Sequence, residues 1–276
     1  MLSTTRGARI KKNGGYKWFT IKQDSSRRYP IRLKDKMYLY RNYPDKIVKT
    51  IRKSPLEVEK KYLYSDFFFI LAPRVVESMI DEDFISYNRE NFYAPLGAGS
   101  ITYNPMEKYT RNEIIPTEHD YYFRHEPIHG TVHDEGAIML GGVSGHAGLF
   151  ANANDLAKLM QMYLDMGEYG GRRYIEAATL KEWTRYQFPE KNNRRGLGFD
   201  KPNLQYAGEN NNAAKDAGPL SFGHTGFTGT MTWMDPATGL LYIFLSNRVN
   251  PTRENTRLYQ MNTRTKIQQV LYDALD

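Results

Sequence analysis

The stretch that most constrains this chain lies near its end. Thr228 to Met234 alternates in side-chain type, Asp235-Pro236-Ala237-Thr238-Gly239 has the residues of a turn, and Leu240 to Leu245 is an unbroken apolar run. Together they read as two strands joined by a hairpin, the second one fully buried. Hairpin-joined strands pair antiparallel, which argues against a parallel βαβ array. A helix is expected from about Arg253 to Ala274, with Leu258, Met261, Ile267, Val270, Leu271 and Ala274 on its buried side. Upstream, Leu156, Leu159, Met160, Tyr163 and Leu164 recur at helical spacing behind Asn152 to Asn154, and Gly167 closes that helix. A shorter helix is expected over about Glu176 to Gln187. Earlier still, Phe67, Ile70, Leu71, Arg74, Val75 and Met79 fit a helix capped by Ser65 or Asp66, which Pro73 should kink or shorten. The expected fold class is α+β, an antiparallel sheet flanked by helices with an accompanying helical and loop region over about 62–190.

With no cysteine in 276 residues, disulfide frameworks, thiol nucleophiles and zinc knuckles are excluded. The longest apolar run, Phe67 to Ala72, falls far short of the ~18 residues that a membrane span needs. Charge is distributed unevenly. Residues 1–61 hold 18 Lys/Arg against 5 Asp/Glu, a net of +13, while the remainder carries a net of −6. Gly14–Gly15, Pro30 and Pro44 interrupt this segment, so 1–61 is expected to be a basic, irregular leader or insertion ahead of a domain over 62–276. Its basic doublets Lys11–Lys12, Arg27–Arg28 and Lys60–Lys61 are scattered and form no helical stripe. No nucleic-acid partner is expected on that ground.

Three motifs carry candidate chemistry. His125-Glu126-Pro127-Ile128-His129 matches the zinc-hydrolase pattern H-E-x-x-H, with His125, Glu126 and His129 in the metal and base positions. That chemistry needs a continuous helix, and Pro127 with Gly130 speaks against one. The alternative is that these loop histidines hydrogen-bond to backbone and to acids such as Asp120 and Asp134; no metal is expected. Gly223-His224-Thr225-Gly226-Phe227-Thr228-Gly229-Thr230 lacks the ending of a phosphate loop and leads into a strand. It reads equally well as an edge strand presenting backbone amides to a substrate carbonyl or as a strand bent by glycines. Tyr64-Ser65-Asp66 at a helix start is, alone, an ordinary N-cap.

Their order adds meaning. Tyr-x-Asp at a helix start, Leu140-Gly-Gly-Val-Ser-Gly-His-Ala-Gly-Leu-Phe150 before Asn154-Asp155-Leu156-Ala157, Ser221-Phe-Gly-His-Thr-Gly226, and Ser246-Asn-Arg-Val249 follow one another along the chain. This sequence of motifs resembles the serine β-lactamase and penicillin-binding-protein superfamily, most of all the class C-related branch with its esterases and D-amino-acid peptidases. The resemblance covers about residues 60–276. It implies acylation of a serine in Ser-x-x-Lys, completed by Tyr-x-Asn and Lys-Thr-Gly, and no cofactor. Tyr64 stands at the family's proton-shuttling tyrosine, Asp66 where Asn is usual, and His224 in place of the Lys of Lys-Thr-Gly. Thr225 and Gly226 match, and Phe227 would offer its N–H to the oxyanion. The implied substrates are small molecules or cell-wall peptides in a periplasmic setting. In related bacterial proteins such a domain can follow a glycoside hydrolase.

The departures matter as much. A free histidine is mostly neutral at pH 7, so His224 would hold a substrate carboxylate less well than lysine, and Asp66 would weaken it further. Esters, amides or modified peptides are therefore expected over β-lactams. No serine has Lys three residues on, and Thr50-Ile51-Arg52-Lys53 lies only 11 residues before Tyr64. The expectation is that the Ser-x-x-Lys segment lies before Met1 and that this chain is inactive alone. A non-catalytic binding module or pseudoenzyme is the rival reading.

Overall fold

A computed structural model describes residues 19–55, 62–208 and 211–275. The chain divides into two compact units, 1–86 with 102–150 and 87–101 with 151–276.

The first unit corrects the reading of its opening segment. Residues 19–55, expected to be irregular, form β1 (Ile21–Lys22), β2 (Ile31–Lys34), β3 (Met37–Leu39) and helix α1 (Tyr43–Arg52). The strands make an antiparallel sheet in the order β1-β3-β2. The reason is an alternation masked by the charge: Leu33, Met37, Leu39, Tyr43 and Ile47 are buried, while Lys and Arg occupy the outward positions. These residues share one core with Ile70, Phe123, Val132 and Ala137–Met139. The unit continues with α2 (Phe67–Ile80) and α3 (Phe84–Asn88), which leads the chain onward, then the antiparallel pair β4 (Pro116–Asp120) and β5 (Glu126–His129), and α4 (Glu135–Met139). The turn between β4 and β5 is built on a buried ion pair. Asp120 accepts from the N–H groups of Tyr122, Phe123 and Arg124 at 2.8–3.0 Å and from Arg124 Nε at 3.1 Å. Burial alone would raise its pKa, but those donors outweigh it and hold the carboxyl at about 2. The Arg124 guanidinium spends its other donors on the carbonyls of Val132 and His133.

The second unit holds the predicted hairpin. Helix α5 (Ala153–Leu164) is N-capped by Asn152, whose side chain accepts from the Asp155 N–H. The small pair β6 (Glu168–Tyr169) and β7 (Arg172–Arg173) and helix α6 (Ala177–Thr184) follow. A three-stranded antiparallel sheet then forms from β8 (Phe222–Thr225), β9 (Met231–Asp235) and β10 (Leu240–Phe244), in the order β10-β9-β8. One face buries Phe222 and Met234 against Leu159, Met160 and Met162, with α5 supplying the cover. The other buries Met231, Trp233 and Tyr242 against Ala213, Ala214 and Tyr272.

The C-terminal helix departs from expectation twice. It is two pieces, α7 (Arg257–Gln260) and α8 (Thr263–Asp273), and its rotation is inverted. Ile267, Val270 and Leu271 face outward, whereas Thr265, Gln268 and Tyr272 are buried. Hydrogen bonds explain this: Gln268 Oε1 accepts from the Ala214 N–H and the Tyr272 hydroxyl donates to Asp235, both at 2.8 Å. Buried polar groups need such partners, and here they fix which side of the helix meets the sheet.

Candidate functional site

The predicted residues are distributed over both units, Tyr64 and Asp66 in the first, His224, Thr225, Gly226 and Phe227 in the second. Tyr64 and Asp66 are exposed and stand immediately ahead of α2. Asp66 is the N-cap by position but makes no side-chain cap bond; Ser65 Oγ instead accepts from the Phe67 N–H at 3.2 Å. Pro73 does not end the helix, which runs on to Ile80.

His224 lies on β8, an edge strand of its sheet. Its ring is fixed on both sides. Nδ1 lies 2.8 Å from the Thr225 carbonyl, which can only accept, so Nδ1 carries the proton. Nε2 lies 3.0 Å from Arg195 Nη1, which can only donate, so Nε2 offers its lone pair. This imidazole is neutral. Burial pushes its pKa down and the charges of Arg195 and Arg194 add to that, against the Thr225 carbonyl and Asp200.

Arg195 is the residue that sequence reasoning missed. It stands within 3.4 Å of Asp200, which also takes Arg194 bidentately at 2.7 and 3.1 Å. Asp200 is tied to the outer edge of β8 by two backbone hydrogen bonds with Gly223. The pair of arginines therefore brings a fixed positive charge to the neutral ring of His224. No sequence signal marks Arg195, because the spacing to His224 is set only by the Asp200–Gly223 bridge.

Gly226 and Phe227 open the turn between β8 and β9, with the Gly226 N–H donating to Thr230 O at 2.9 Å. The Phe227 carbonyl accepts from Arg248 Nε at 2.8 Å and from the Tyr259 hydroxyl at 3.0 Å. The Arg248 guanidinium also lies 4.4 Å from the centre of the Phe227 ring. Arg264 donates to Thr230 O at 2.9 Å. The turn is thus held from its carbonyl side by two cationic side chains.

The zinc alternative does not fit. Glu126–His129 is strand β5, where residues four apart lie roughly 13 Å from one another instead of one helical turn. His129 Nε2 is 2.6 Å from the Ile114 carbonyl, and His125 sits before the strand at φ +54°. Among the described residues no group of three or more His, Asp or Glu is placed to hold a metal ion. The other loop histidines find acids, His133 with Glu118 at 2.9 Å and His146 with Asp134 at 2.8 Å. Asp120 serves Arg124 instead of a histidine.

A family model described as Beta-lactamase matches residues 15–263, which also takes in the basic segment 19–55. The chain belongs to the β-lactamase family. As a β-lactamase-family chain it is 35% identical over 230 residues to an Escherichia coli (strain K12) protein provisionally named D-alanyl-D-alanine carboxypeptidase, covering 76% of this chain and 51% of that protein. A Salmonella enteritidis protein of the same name is 34% identical over 228 residues, covering 75% and 50%. The chain thus spans about half the length of the curated relatives it matches. Among solved structures, a Mycobacterium bovis β-lactamase aligns with a TM-score of 0.54 at 18% identity, over 78% of this chain and 65% of that one. A mutant simvastatin synthase from Aspergillus terreus aligns at 0.55 and 18%, over 86% and 61%. These two likenesses show the β-lactamase/transpeptidase fold. No helix among the described residues is long and apolar enough to cross a membrane.

Proposed function

We propose that this chain forms the carboxylate-reading part of a D-alanyl-D-alanine-type carboxypeptidase that works through an acyl-enzyme. The observation that carries this reading is Arg195 on the neutral ring of His224. The expected weakness of His224 toward a carboxylate is offset by a guanidinium 3.0 Å away, so a peptide ending in a free carboxylate becomes a better fit than an ester or amide. This agrees with the name of the relatives and revises the preference for esters.

In the proposed roles, Arg195 and the Thr225 hydroxyl hold the terminal carboxylate, and the Phe227 N–H donates to the carbonyl oxygen as charge develops on it. Tyr64 passes the proton of an attacking serine to the departing D-alanine, and Asp66 orients the peptide amide. Serine attack breaks the peptide bond and leaves an ester; water then releases the shortened peptide. These 276 residues contain no Ser-x-x-Lys, so the proposed reaction needs a serine–lysine pair that the present sequence does not supply. That same observation favours a second reading, in which this chain binds the peptide without turnover.

Titration calorimetry with D-alanyl-D-alanine and with its C-terminal amide tests the site. The acid should bind at least about tenfold more tightly, the equivalent of one charge-assisted hydrogen bond. Equal binding of the two, or none, would sink the carboxylate reading. Fluorescent penicillin should leave this chain unlabelled; covalent labelling would discard the binding-only alternative.

A further inference from the structure

Pro73 leaves a gap in α2 that a distant loop fills. Inside a helix the carbonyl of residue i accepts from the N–H of residue i+4. For Phe69 that donor would belong to residue 73, and proline has none. The Gly145 N–H takes its place, at 3.1 Å from Phe69 O. Only glycine allows this approach, since a Cβ at position 145 would lie 2.6 Å from the same oxygen.

The residues on either side of Gly145 are bonded to each other. Ser144 Oγ is 2.7 Å from His146 Nδ1, and His146 Nε2 is 2.8 Å from Asp134 Oδ1. Asp134 is anchored in turn as the N-cap of α4, accepting from the Ala137 N–H at 2.7 Å. Gly136 to Met139 of α4 are buried, and Ala137, Ile138 and Met139 share the core that holds Ile70 of α2. A carboxylate only accepts, so Nε2 carries the ring proton and Nδ1 accepts from the Ser144 hydroxyl while the ring is neutral.

Serine, histidine and aspartate in hydrogen-bonded order invite comparison with a hydrolytic triad, but two features oppose that use. Ser144 is 2% exposed, leaving no approach for a substrate. The nitrogens are also reversed, with serine on Nδ1 and aspartate on Nε2.

We propose that Asp134, His146 and Ser144 are positioning residues, whose hydrogen-bonded row latches the Gly145 amide onto the carbonyl orphaned by Pro73 and so fixes the start of α2 beside Tyr64 and Asp66. Its bearing on catalysis rests on the reading of Tyr64 and Asp66 as site residues.

Hydrogen exchange on the full chain tests the latch. In His146→Ala, amide exchange at Gly145 and over 67–72 should quicken by tenfold or more, with 153–164 unchanged. Adding Pro73→Ala gives Phe69 a donor within its own helix. Protection over 67–72 should then return while Gly145 stays fast. A uniform acceleration, or no recovery in the double variant, overturns the latch. If His146→Ala does not fold, Ser144→Ala removes one hydroxyl only and should show the same pattern at smaller amplitude. The His146 ring N–H should give a slowly exchanging proton resonance that Asp134→Asn abolishes; a rapidly exchanging ring proton in the parent chain counts against the latch. Labelling of Ser144 by a fluorophosphonate would overturn its enclosed, positioning role. Tyr64 ring resonances that respond to D-alanyl-D-alanine in the parent chain and not in His146→Ala complete the support. Resonances that ignore the dipeptide in both remove the catalytic bearing and leave the exchange result standing.

Discussion

His224 and Tyr64 have opposite surroundings. The His224 ring has a carbonyl on one nitrogen and a guanidinium on the other, and its strand is stitched to Asp200 on one side and to β9 on the other. Tyr64 is 58% exposed, and the helix behind it begins without a side-chain cap from Asp66. One motif is set by pairing within its own sheet. The other depends on a glycine loop some eighty residues later in the chain. A strand can therefore carry its own precision, whereas a residue ahead of a helix inherits whatever fixes the helix start.

The comparison can be broken most heavily from below. Asp120→Ala strands Arg124 in the core of the first unit, and removing one partner of such a pair costs about 3–5 kcal/mol. Urea denaturation should show that loss, with the far-ultraviolet signature of the second unit persisting longer; a loss under 1 kcal/mol would mean that the pair contributes little. In the second unit, Gly223→Ala presses a Cβ onto the Thr232 carbonyl and within 2.7 Å of the Trp233 ring. Overpacking of this kind costs roughly 1–3 kcal/mol and should lower Tm, while a neutral outcome would show that β8 yields more easily than proposed. Arg195→Ala is expected to weaken D-alanyl-D-alanine binding about tenfold with little change in Tm. It should also let the His224 pKa rise, because a nearby positive charge is gone; an unchanged titration by NMR would separate the two residues.

The remaining effects lie in the pH dependence, where one group in each unit makes stability rise with pH, in separate windows. Asp120 is held at about 2, so the stability it contributes is present above pH 4 and is lost as pH falls toward 2. Lys201 is buried, donates to Ser221 O at 3.0 Å and lies over the Tyr186 ring. Burial pushes its pKa down to about 8, with Asp235 opposing. Between pH 8 and roughly 10.4 the unfolded chain holds a proton that the folded one has released, so Lys201 makes stability rise with pH. Denaturation series at pH 2–5 and 8–10, on Asp120→Asn and Lys201→Met against the parent, should flatten each slope separately.

The sequence made the hairpin, α2 and α5 legible because periodicity and caps act locally: Leu156, Leu159 and Leu164 could not share a face in any other conformation. It misled where charge hid alternation. Ile31, Leu33, Met37 and Leu39 alternate on either side of Asp35–Lys36, yet the surrounding lysines and arginines pointed to a solvated leader. In α8 the error ran the other way. The apolar stripe at Ile267, Val270 and Leu271 predicts a core face, but Gln268 and Tyr272 are the residues with partners inside. Tyr64, Asp66 and His224 through Phe227 could be proposed as site residues from motif order. Arg195 and the Asp134–His146–Ser144 row could not, since only folding brings their atoms together.

Pro73 and Gly145 also bear on how such a sequence can change. Replacing Pro73 first restores a donor within the helix, after which a change at Gly145 still crowds the Phe69 oxygen but no longer strands it. Replacing Gly145 first both crowds the Phe69 oxygen and removes its donor, with nothing in the helix to take over. Substitution thus costs less in one order than in the other, so the proline raises the cost of losing a glycine seventy-two residues away.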